Sequence, residues 1–229
     1  MISNHCIIHQ SVLCASLGDE YGEVMDTIMM LVNFLRSTSA LQHRLLRTFF
    51  TEANVSYDDL FVHNNVRWLS KGKVLERFWA IRKELQTFLE DQNSVKAKAF
   101  SEFLKDNKKI ESVGFWADIM SHLNDLNVKL QGEKHTIYNL ISAIRAFQKK
   151  IEFFKDDIQS QLFHLPRLLE ERKYETDTKY VQFIEKLINN FKDCFDDFVL
   201  GKQLLLFIQN TFLVTDITEF PVEANLTWK

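Results

Sequence analysis

Cys6 and His9 stand in a C-x-x-H spacing inside His5-Cys6-Ile7-Ile8-His9. A thiolate and an imidazole so placed make half of a zinc site, since both ligand types suit Zn²⁺. A structural site needs four ligands, and no second C-x-x-C or H-x-x-H pair completes it. Cys14 and His63 are the remaining candidates, and no spacing places them. A buried structural Cys/His pair is the favoured reading over a metal site. A nucleophile–base role for Cys6 and His9 is disfavoured, because it needs an electropositive niche and an oriented imidazole. No cofactor is expected.

The most suggestive segment is Arg67-Trp68-Leu69-Ser70-Lys71-Gly72-Lys73. Arg67, Lys71 and Lys73 surround a Trp where a long helix starts, and backbone N–H groups at a helix start favour phosphate. A Trp among cations can stack an unpaired base. The competing reading is a Trp packed beneath the helix start with solvated lysines. Other chemistries lack their motifs. There is no G-x-x-x-x-G-K-[ST] and no G-x-G-x-x-G. Asp156-Asp157 and Asp196-Asp197 are adjacent pairs on helices, where neighbours diverge by about 100°, so they read as solvated faces and not as metal ligands.

The elements behind these residues are helical. Six Gly and two Pro among 229 residues are about 3.5%, against a usual share of about 12%, too few for the tight turns of a β-sandwich or an α/β enzyme. Hydrophobic residues at 46% and a net charge of −3 describe an ordinary globular chain, and exclude a strongly basic nucleic-acid-coating protein. Three cysteines without framework spacing point to a reducing compartment. No apolar run is long enough for a membrane span and the start does not read as a signal peptide.

Apolar residues at 3–4 spacing predict helices from Glu20 through Leu35, from Ser39 through Phe49, and from an N-cap at Ser70 through Leu89. Further helices follow a cap at Ser94, run past Phe115 to Leu130, and cover Ile137 to Ile158. Pro166 breaks the chain, and Thr176 opens another helix through Phe198. Cys6–Ile8 and Leu60–His63 read as short strands. The expectation is a mainly α, multi-helix bundle of seven to nine helices with one or two short strands.

The order HCIIHQ, then VRWLSKGKVLERFWAIRKELQTFL, then FWADIMSHLNDLNVKLQGEKHTIYNLISAIRAFQKKIEFF resembles hAT-type transposases. The nearest likeness is to their domesticated branch: zinc finger BED domain-containing, SCAN domain-containing and general transcription factor II-I repeat domain-containing proteins. The resemblance covers nearly the whole chain and implies a ribonuclease H-like core interrupted by a helical insertion domain. In that family an acidic triad cuts and joins DNA through two metal ions. The resemblance places both catalytic Asp residues before Met1 and the Glu beyond Lys229, so the chain is expected to be a truncated, catalytically inactive fragment.

The resemblance also implies three parts. Residues 1–69 resemble a fragment of the core, 70–209 the insertion domain, and 210–229 a return segment. Cys6 and His9 match the family's C-x-x-H, and Arg67 and Trp68 match its RW pair, which meets the DNA end. The expected role is DNA or chromatin association, in the nucleus by resemblance and otherwise in the cytoplasm. The alternative is a helical protein–protein interaction module without nucleic-acid binding. DNA, protein partners or a homo-oligomer of the full-length relative are the expected partners, with no membrane and no small-molecule substrate.

Overall fold

The computed structural model describes residues 18–37, 40–53, 57, 60, 68–131, 136–172 and 178–195. Within them the apolar stripes become eight helices: α1 (Gly18–Ser37), α2 (Ala40–Glu52), α3 (Trp68–Glu90), α4 (Val95–Lys105), α5 (Asn107–Leu130), α6 (Ile137–Ile158), α7 (Pro166–Glu171) and α8 (Thr178–Phe195). Their boundaries follow from capping chemistry. Ser94 Oγ accepts from Ala97 N at 3.0 Å and opens α4. Thr136 Oγ1 does the same for α6, accepting from Asn139 N at 3.3 Å. Asp106 serves two helices. Its N–H donates to the Glu102 and Phe103 carbonyls to close α4, and its carboxylate accepts from Lys108 N and Lys109 N to open α5.

α5 is the axis of the fold. Residues 112–120 are buried on every side, as expected of a helix whose neighbours surround it. It packs on α1, α3, α4, α6 and α7. α3 lies against it antiparallel, because Gly72 meets Asn124 while Gly114 meets Trp79. Both glycines let the axes come close. A Cβ on Gly114 would sit 2.8 Å from Trp79 Cη2 and 2.9 Å from the Arg167 carbonyl. α6 and α8 pair antiparallel through Phe147 on Phe191, Lys155–Glu185 and Lys192–Glu152. Aromatic rings join α1, α5 and α8: Phe115 stacks on Tyr180 at 4.4 Å, and Trp116 meets Phe183 and Tyr21 edge-on. Each such contact stabilises by about 1 kcal/mol beyond the area it buries. One apolar core runs from Tyr21 to Phe195.

Several expectations need correction. The one or two short strands are not found, since the described residues contain no strand. Leu60 is buried, and its carbonyl accepts from the Arg36 guanidinium of α1. Cys6–Ile8 and residues 61–63 lie outside the described residues. The long third helix begins at Trp68, so Ser70 is inside it and not its cap. Asp156 is exposed as expected, whereas Asp157 is buried and accepts hydrogen bonds from the loop that follows α6. Cys194 is disulfide-bonded, which the reading of a reducing compartment does not anticipate; Cys6 and Cys14 lie outside the described residues. Asp196-Asp197, the position of Thr176 and the segment 196–229 are likewise outside them.

Candidate functional site

The first turns of α3 carry the cations singled out in the sequence, and two contacts hold the chain that leads into them. Arg77 of α3 stacks over the Tyr57 ring, 4.4 Å from its centroid. Arg36 of α1 holds the Leu60 carbonyl. α3 then starts at Trp68 with no acidic residue in its first turn. Gly72 is buried beneath the Asn124 side chain, and Val74 and Leu75 are buried beyond it. That fixes the rotation of the helix. Lys71 is half-buried and Lys73 exposed, and neither makes an ion pair with another described residue. The helix start adds partial positive charge to theirs. Such a turn can attract a phosphate backbone.

Of the four predicted interface residues, Lys71 and Lys73 lie in the first two turns of α3 on either side of the buried Gly72, about 200° apart around the helix. Trp68 supplies the first residue of the helix, and its side chain is outside the described set. Arg67, Cys6 and His9 are outside it as well. Among the described residues no three His, Cys, Asp or Glu side chains gather closely enough to hold a metal ion, and no helix is long and apolar enough to cross a membrane.

A second polar group, missed in the sequence, lies where α5 and α6 meet residues 159–172. Asp118 of α5 is buried and accepts from Arg167 N at 2.9 Å, Leu168 N at 3.0 Å and the Arg167 guanidinium at 3.0 Å. α7 has no side-chain cap of its own at Leu165, so Asp118 supplies it from across the core. Burial pushes the Asp118 carboxyl up to about 6, against the pull of those hydrogen bonds. His122, one turn on, meets the His164 carbonyl at 2.6 Å and Lys150 Nζ at 3.0 Å. Burial pushes its ring down to about 4. Asp157 of α6 accepts from Phe163 N at 2.9 Å and His164 N at 2.7 Å.

These groups spend their polar atoms on the backbone of residues 163–168. The arrangement is a latch for that loop and for α7. The signal for it was the i, i+4 pair Asp118 and His122 inside an otherwise apolar stripe, which periodicity alone reads as surface.

Residues 5–159 match the family described as FAM200/GTF2IRD2 helical domain. The chain is also similar to two general transcription factor II-I repeat domain-containing proteins 2. The one from Bos taurus is 29% identical over 209 residues, 90% of this chain and 21% of that protein. The one from Mus musculus is 30% identical over 215 residues, 93% of this chain and 22% of that protein. The chain thus spans about a fifth of the length of these relatives. No solved structure matches it.

Proposed function

The chain belongs to the FAM200/GTF2IRD2 helical domain family, and from that premise we propose that it is a non-catalytic helical module, of hAT-transposase descent, that associates with DNA. By the resemblance to hAT-type transposases, residues 1–69 would be a remnant of a ribonuclease H-like core, 70–209 its helical insertion and 210–229 a return segment. In the fold, α1 and α2 share one core with the later helices. The names of the two relatives refer to transcription-factor repeats, which fits a nuclear binding role and not a catalytic one.

The observation that carries the reading is the anchored first turn of α3. Lys71 in that turn and Lys73 in the next stand on either side of the buried Gly72, with no acidic residue in the first turn, and the Gly72–Asn124 contact fixes the rotation of the helix. Trp68, and Arg67 before it, would meet the unpaired end of a duplex by stacking and phosphate contact.

The test is a salt series of affinity for a blunt and a frayed DNA duplex. Each of Lys71→Ala and Lys73→Ala should lower the slope of log K against log salt by about one. Trp68→Ala should weaken binding to the frayed end while leaving helicity intact. No binding at low salt, or an unchanged slope in the double lysine variant, would refute DNA association through this turn.

The second reading is a protein-interaction module without nucleic-acid binding. Two observations favour it: the net charge of −3 and an open groove on another part of the bundle.

A further inference from the structure

A groove of about 470 Å³ runs between α1, α4 and α5 and is flanked by α8. Most of its exposed lining area is apolar, with Val24 of α1 and Ala99, Phe100 and the largely buried Phe103 of α4 as the apolar side chains. Phe100 is half-buried, with its ring against Phe34 at 5.4 Å. At the α8 side the groove is already neutralised. Glu20 accepts from Ser112 Oγ at 3.0 Å and pairs with Lys179 at 2.8 Å.

The two rims are unlike. On α1, Glu23 is exposed one turn beyond Glu20 and makes no ion pair with another described residue. On α5, Lys108 is exposed and equally without an ion pair among them. Lys109 beside it reaches Asp106 at 3.7 Å and lies over the Phe103 ring, 5.9 Å from its centroid. The start of α5 adds partial positive charge to that rim. So an apolar strip lies between a negative edge and a positive edge.

We propose that this groove docks an amphipathic helix of a partner protein. Its apolar edge rests on Phe100 and Phe103, an acidic residue faces Lys108 and Lys109, and a basic residue faces Glu23. A helix fits better than an extended peptide, because the walls are helices and present no strand edge for backbone pairing. The opposite charge of the rims gives the docked helix a direction as well as a site. The proposal does not rest on DNA association. Lys108 is 16 residues from Asn124, the contact of the α3 start, which is roughly 24 Å along α5.

The test uses three fluorescein-labelled helical peptides and the whole chain, read by anisotropy. The first carries a Leu/Phe stripe with Glu along one edge and Lys along the other. The second has the two edges exchanged, and the third has Ser in place of the stripe. The first should bind, and the third should not. Lys108→Glu with Lys109→Glu should weaken the first peptide by about tenfold or more. Adding Glu23→Lys should turn the preference toward the second peptide. All three positions are exposed, and circular dichroism checks that the variants stay folded. No binding of the first peptide, or equal binding of the first two by the original chain and the triple variant, would overturn the proposal. So would a dimer formed without peptide and lost in the lysine variant, which would assign the groove to a second copy.

Discussion

His122 Nε2 donates to the backbone carbonyl of His164 at 2.6 Å, while its Nδ1 accepts from Lys150 at 3.0 Å. A lysine ammonium has only donors, so Nδ1 must be the lone-pair nitrogen and the proton sits on Nε2. A second proton on the ring would face the Lys150 charge inside a largely buried site. The ring is held neutral, and its pKa falls to about 4 from the usual 6.5, chiefly by burial.

The sign of the pH effect follows. Between about 4 and 6.5 the unfolded chain binds a proton at His122 that the folded chain does not, so stability rises with pH there. The contribution is complete above 6.5 and lost as pH falls toward 4, on the order of 3 kcal/mol in all. NMR titration of the ring should find His122 neutral down to about pH 4. A midpoint near 6.5 would show that the latch does not exclude the second proton.

Asp118 has the opposite slope. Its carboxyl is raised by burial to about 6 from 3.8, so the folded chain binds the extra proton between those values. Its stabilising effect is present below about 4 and lost as pH rises to 6. The two slopes oppose each other across the overlap, and urea unfolding of the unaltered chain should vary little with these two groups between pH 4 and 6. Asp118→Asn keeps an acceptor oxygen and removes the titration. Its stability should rise with pH through that window more steeply than that of the unaltered chain. Parallel profiles would refute the assignment.

Close helix approach gives a second kind of expectation. At Gly114 an added Cβ meets the Trp79 ring and the Arg167 backbone carbonyl, and neither can move without displacing α3 or α7. At Gly72 it meets only the amide end of Asn124, which can turn aside. Gly114→Ala should therefore destabilise by about 1–3 kcal/mol despite better helix propensity. Gly72→Ala should destabilise by clearly less. Chemical unfolding of the two variants side by side gives the order, and the reverse order would refute this account of the α3–α5 contact.

The helices were legible because their stripes are long. Val74 to Leu89 and Ile137 to Ile158 keep helical spacing for about four and about six turns, and Ser94 caps where the sequence said it would. The start of α3 was misplaced at Ser70 because a serine before an apolar run looks like a cap, whereas the helix starts two residues earlier at Trp68. The latch was illegible for a different reason. Asp118, His122, Asp157 and His164 are partners only through tertiary contact, and a polar residue inside an apolar stripe carries no mark of the backbone it will satisfy. Of the strand expected at 60–63 the described residues include Leu60 alone, which is buried with its carbonyl accepting from the Arg36 side chain.

Tyr21 offers the last expectation. Its ring packs edge-on against Trp116 at 5.4 Å and is almost fully buried. Its hydroxyl has no hydrogen-bond partner among the described residues, and burial raises its pKa far above the usual value. A buried hydroxyl without a partner loses its hydration on folding and gains nothing in return, at a cost of about 1–3 kcal/mol. Tyr21→Phe removes that cost and keeps the ring contact. Thermal unfolding of the variant should therefore show a higher midpoint, with unchanged helical circular dichroism. A lower midpoint would mean that the hydroxyl is bonded in solution, with an ordered water between α1 and α5 as its partner.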